Sequence, residues 1–183
     1  MSTTNNAAFR LQQLDPLTYQ RETRKASIIV IIIFAASAML LSSLLALLFG
    51  SSETSNFKWN LSGVLLGLMF TVILVKHYLC RQPWMHASMY GWRLKRNLMK
   101  VTNIMHLVKQ GVEAADPAAI RVLRFYHLGL LQMHKLDGHQ DHGSSSLVTE
   151  INQLLEQMQQ LGIDPEQAEL PEQLLEQIKS ATK

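Results

Sequence analysis

The sequence predicts an all-α protein: a transmembrane helical hairpin followed by a small cytosolic helical bundle. Three observations lead there. Residues 26–49, ASIIVIIIFAASAMLLSSLLALLF, run for twenty-four residues without a charge. Residues 59–75, WNLSGVLLGLMFTVILV, do the same over seventeen. Beyond them the chain turns polar and rich in Gln and Glu, with apolar residues at the three- and four-residue steps of amphipathic helices.

The first run sets the architecture. At about 1.5 Å per residue it makes roughly 36 Å of helix, enough to cross a hydrocarbon core of roughly 30 Å. Fourteen of its residues are Ile, Leu, Val or Phe, a gross drive to insert of a few to about 8 kcal/mol. Residues 1–25 form a cytoplasmic N-terminal segment, too long and polar for the n-region of a secretory signal. No small-residue cleavage site follows, so the run is expected to stay as an anchor. Asp15-Pro16 suits a helix start, with Pro16 at the first helical position. Arg21, Arg24 and Lys25 fall at headgroup level.

The polar loop GSSETSNFK turns the chain into a second span at about 59–76. Lys76 can snorkel there, and Phe57, Trp59 and Tyr78 stand as interfacial anchors. Residues 26–78 thus form the hairpin. Orientation follows from basic residues near the spans. Arg10, Arg21, Arg24 and Lys25 precede the first, Lys76, Arg81, Arg93 and Lys95 follow the second, and the loop has Lys58. Both termini are expected in the cytoplasm. Small residues recur on both spans: Ala38, Ser42 and Ala46 at four-residue steps on the first, Gly63 and Gly67 on the second. Such strips let helix backbones approach closely, here within the hairpin or, as the other reading, between copies. No Asp, Glu, His or Arg lies inside either span, so the usual markers of an ion path are missing.

Charge divides the chain. Residues 1–110 carry twelve Lys/Arg against three Asp/Glu, and residues 111–183 carry five against eleven, so the formal +3 is +9 followed by −6. The single cysteine, Cys80, cannot form an internal disulfide and reads as a small apolar residue near the bilayer surface.

Residues 84–183 read as the cytosolic helical domain. After the break at Arg81-Gln82-Pro83-Trp84, an amphipathic helix is predicted to about Val112. Tyr90, Leu94, Leu98, Val101, Met105, Val108 and Val112 define its apolar face. Arg93, Lys95, Arg96 and Lys100 point elsewhere, interleaved with Trp92 and Met99, and suit an anionic leaflet, each base near the surface contributing about 1 kcal/mol. A solvated basic face is the plainer alternative, and nucleic acid is not expected as a partner. Asp116-Pro117 then starts a helix that is apolar over most of its circumference to Leu136. His127 and His134 lie on its apolar side, as core histidines or, less simply, as metal ligands.

Residues 137–146, DGHQDHGSSS, place Asp137, His139, Asp141 and His142 close in sequence. Their oxygen and nitrogen donors could hold a metal, and a chance polar loop looks the same. Ser146 offers an N-cap to a helix lined by Leu147, Ile151, Leu154, Met158 and Leu161, which Gly162 stops. Asp164-Pro165 suggests another turn with Gln167 placed for a capping box, and Pro171 opens a last helix. QLLEQ at 153–157 recurs at 173–177, too short for a repeat.

FKWNLSGVLLG at 57–67, YGWRLKRNL at 90–98 and LRFYHLGLLQMHKLDG at 123–138 resemble a family of small two-span gammaproteobacterial inner-membrane proteins of unassigned function. The likeness covers roughly residues 10–140. It implies an inner-membrane location and a helical cytosolic portion, and brings no catalytic residues. The family continues after Leu136-Asp137 with a polar Asn/Thr turn, where this chain has GHQDHG. Phe125, Leu128 and Gly129 also approximate the aromatic-x-x-Leu-Gly core of a tetratricopeptide unit, a likeness read as helix-pair packing.

The function expected is that of a membrane-anchored, non-enzymatic interaction protein with no cofactor. Its partners would be the bilayer, anionic headgroups, and an unidentified protein or its own copies. A metal-binding sensor or small metal-dependent enzyme using the histidines is the second reading. A subunit of an oligomeric channel or transporter is the third.

Overall fold

The computed structural model describes residues 8–50, 55–138 and 145–181. Their seven α-helices are α1 (Pro16–Phe49), α2 (Phe57–His77), α3 (His86–Thr102), α4 (Met105–Glu113), α5 (Pro117–Asp137), α6 (Ser145–Gln160) and α7 (Glu172–Ala181). Two short strands, β1 (Phe9–Arg10) and β2 (Glu169–Leu170), pair antiparallel with Phe9 opposite Leu170. The chain divides into two compact units, one of residues 18–90 and one of 8–17 with 91–181.

In the first unit, α1 runs unbroken from the polar Pro16 end through the apolar run, and α2 extends a little past the predicted span at each end. Both helices are long and apolar enough to cross a membrane. They lie antiparallel: Ser37 faces Thr71, Ser42 faces Asn60, and Phe49 stacks on Trp59 with ring centroids 5.1 Å apart. Pro83, which has no N–H to donate, opens the second of two 3-10 turns at Leu79–Arg81 and Pro83–Met85 that lead from α2 to α3. Ala26, Leu79 and Met85 are buried there, with Val30, Ile33, Leu74, Val75, Trp84 and Met89 packed around them. Cys80 is half-buried as a free thiol.

The second unit is built around α5. Asp116 takes an extended backbone and its side chain accepts a hydrogen bond from the Ala118 N–H, so the cap and Pro117 start the helix as the sequence suggests. Ile120, Val122, Leu123 and Phe125 are buried among Val101, Ile104, Val108, Leu154, Met158, Leu175 and Ile178. Phe9 joins this core edge-on to Phe125, and Arg10 pairs with Glu169, which ties the segment before α1 to the far end of the chain.

The helix expected to reach Val112 is in fact two. At the C-terminal end of α3 the Thr102 hydroxyl donates to the Leu98 carbonyl, and the Ile104 N–H reaches only as far as Val101, tightening the last turn. The break turns Ile104 inward, so the apolar stripe continues into α4 although the helix does not. Helix α4 ends with Ala115 at φ 57, the Asp116 N–H reaching back to Gly111 and the Ala115 N–H to Val112. Gly162 closes α6 in the same way, the Ile163 N–H donating to Met158. Both are Schellman closures, in which a left-handed residue lets orphan carbonyls find donors. The capping box expected at Asp164 is absent. Asp164 accepts from the Glu166 N–H in a local turn that delivers the chain to β2.

Candidate functional site

Two surfaces carry the residues the sequence singles out. The first is the strip between α1 and α2. A Cβ placed on Gly63 would lie 2.3 Å from the Ser42 Cα and 2.4 Å from its backbone nitrogen, and one on Gly67 would lie 2.7 Å from the Ala38 Cα. Only glycine permits that approach. Ala46 is half-buried one turn further along α1. The closeness brings hydroxyls across the seam: Ser42 donates to the Asn60 carbonyl at 2.9 Å, and Ser37 stands 3.2 Å from Thr71, which donates to the Gly67 carbonyl at 2.8 Å. The Ser37–Thr71 pair was hidden in the sequence, where two small hydroxyls in apolar runs give no sign that they meet.

The second surface is the outer side of α3. The 3.6-residue period puts Trp92, Arg96 and Met99 along one line, opposite the buried Leu94, Leu98 and Val101. That inner face packs closely on α5, since a Cβ on Gly129 would touch Leu98 at 2.8 Å. The four bases do not behave alike. Lys95 pairs with Asp137 at 3.1 Å, and Lys100 pairs with Glu172 at 2.5 Å, holding that exposed carboxyl below its usual range by hydrogen bond and charge. Arg96 lies 5.0 Å over the Trp92 ring. Arg93 and Arg96 are exposed, and among the described residues no acid pairs with either. Trp92 remains 54 % exposed and Met99 64 %.

His127 is 1 % exposed on α5 and its Nδ1 has no hydrogen-bond partner. Burial pushes its pKa down, Glu150 opposes the shift, and Arg124 and Lys109 add to it. Lys109 and Glu150 pair with each other at 3.5 Å, so charges from α4, α5 and α6 surround the imidazole. His134 Nδ1 is also buried without a partner. His139, Asp141 and His142 lie outside the described residues, and among the described ones no three His, Cys, Asp or Glu converge as a metal set. A cavity of about 230 Å³ opens beside the Lys100–Glu172 pair, lined also by Asn103, Ile104, Leu175, Glu176 and Lys179.

No curated protein and no solved structure matches the chain. Residues 9–175 match the family described as Protein of unknown function (DUF3087), a span that takes in both units from β1 to α7. The chain belongs to that family.

Proposed function

We propose that this protein is a non-enzymatic anchor of the bacterial inner membrane, with α1 and α2 as a membrane hairpin and both termini in the cytoplasm. Its helical unit of residues 91–181 then stands on the cytoplasmic side, where it binds a protein partner or a second copy of the chain. The observation that carries this reading is where the apolar surface lies. Of the large apolar side chains left exposed among the described residues, twenty-two sit on α1 and α2 and six elsewhere. Only 6 % of the most apolar stretch of α1 is buried, and 22 % of that of the second helix. A core helix of a soluble protein would be covered on most sides, and soluble proteins rarely leave contiguous apolar patches beyond a few hundred Å². Lipid supplies the missing cover, and helices satisfy their own backbone groups within it. The excess of Lys and Arg beside both outer ends of the hairpin, against Lys58 alone in the loop, supports the orientation.

The test is extraction. Membranes containing the full chain are washed at high salt and then at alkaline pH. The anchor reading expects the protein to stay with the lipid through both washes, and recovery in the supernatant would refute it. Crosslinking in native membranes tests the interaction, with a specific adduct expected on residues 91–181.

A further inference from the structure

The outer face of α3 is unusual for a helix whose opposite side is in a protein core. A solvent face ordinarily carries polar side chains, whereas here Trp92 and Met99, both more than half exposed, sit one above and one below Arg96 on the same line. The bases on either side of this line, Lys95 and Lys100, are engaged by Asp137 and Glu172. The two left without an acid, Arg93 and Arg96, are those beside the tryptophan. Trp and Arg together, with an apolar Met, make the composition that favours a bilayer interface, where an indole sits at headgroup depth and a guanidinium meets phosphate. Helix α3 begins nine residues after His77, the end of α2, so the chain keeps its start within about 30 Å of the hairpin.

We propose that Trp92, Arg96 and Met99, with Arg93 beside them, form a membrane-docking face that inserts shallowly into an anionic leaflet. Lys95 and Lys100, already engaged by Asp137 and Glu172, take no part in docking. The occupant is lipid, because the face pairs exposed apolar groups with positive charge only and lies a short tether from a membrane hairpin. This inference rests on the anchor reading above.

The full chain is reconstituted into vesicles of phosphatidylcholine, alone or with phosphatidylglycerol. Two variants leave one tryptophan each: Trp59→Phe with Trp84→Phe reports Trp92, and Trp84→Phe with Trp92→Phe reports Trp59. The proposal expects Trp92 emission to shift to the blue in anionic vesicles, to lose quenching by acrylamide and to gain quenching by brominated lipid. Salt at 1 M, where the screening length falls to about 3 Å, should reverse this, as should Arg93→Gln with Arg96→Gln. Lys95→Gln with Lys100→Gln should not. If Trp92 stays open to acrylamide while brominated lipid quenches Trp59, docking is refuted and the anchor stands. If brominated lipid quenches neither, both fail. Protection of Trp92 from acrylamide without quenching by brominated lipid, while Trp59 is quenched, would assign the face to a second copy of the chain and overturn the proposal. An equal effect of the lysine and arginine pairs would overturn the division of labour. If a double Phe variant does not fold, the difference between wild type and Trp92→Phe gives the same reading.

Discussion

Replacing Gly63 by alanine adds one methyl group, and the geometry of the hairpin makes its effect opposite in sign to the usual one. In an ordinary helix Gly→Ala stabilises by roughly 0.5–1 kcal/mol, because glycine loses more backbone freedom on folding. At Gly63 the new Cβ would stand 2.3 Å from the Ser42 Cα and 2.4 Å from its nitrogen, both atoms of a backbone that cannot rotate away. Ordinary carbon contacts begin at about 3.5 Å, so the helices must part locally by about 1.2 Å. The Ser42 hydroxyl bond to the Asn60 carbonyl, now 2.9 Å, would then open past hydrogen-bond range. Overpacking of this kind costs about 1–3 kcal/mol, and a lost interhelical hydrogen bond in lipid about 0.6 kcal/mol more. We therefore expect Gly63→Ala to destabilise the full chain by about 1–3 kcal/mol net, and Gly67→Ala, whose nearest contact is 2.7 Å, by less. Titration with denaturing detergent in mixed micelles, followed by circular dichroism, measures it. Equal or greater stability of Gly63→Ala would refute close packing at this seam. Loss of a crosslinked dimer at unchanged stability would place the strip between copies.

Other substitutions probe the helical unit. Ala115 holds a left-handed backbone at φ 57, which costs a non-glycine residue roughly 1–2 kcal/mol, so Ala115→Gly should raise the unfolding midpoint, and a lowered midpoint would contradict the reading of that turn. Phe125→Ala removes the largest fully buried side chain and should cost about 3–5 kcal/mol, seen as early loss of the residues 91–181 transition on heating. His127 predicts acid sensitivity. Its folded-state pKa lies below the ordinary 6.5, so its contribution is whole above pH 6.5. Below that the unfolded chain takes up a proton that the folded one refuses, and stability falls until the folded pKa is passed. Denaturation between pH 8 and pH 5 should therefore show a slope that His127→Gln reduces, and an unchanged slope would remove His127 from the account.

What the sequence made legible was what it encodes locally. Two uncharged runs of helical length announce α1 and α2, and Asp116-Pro117 and Gly162 mark ends that chain neighbours alone determine. The apolar stripe from Tyr90 to Val112 was also readable, but not the break inside it, because no Gly or Pro marks Thr102–Ile104 and the stripe keeps its register across the bend. Long-range pairings were invisible for a different reason. Nothing near Phe9 points to Leu170, and nothing near Lys95 or Lys100 points to Asp137 or Glu172. Those partners separate two paired lysines from two arginines that no acid pairs, on a face that reads as four equivalent charges in the sequence.

Whether α1 and α2 cross a membrane as a hairpin can be read from a topology map of the full chain in bacterial cells. Reporter fusions that score the side of the inner membrane are placed at Asn56, between the helices, and at Thr3 and Lys183. A membrane hairpin gives a periplasmic signal at Asn56 and cytoplasmic signals at Thr3 and Lys183. A cytoplasmic signal at Asn56 would contradict it.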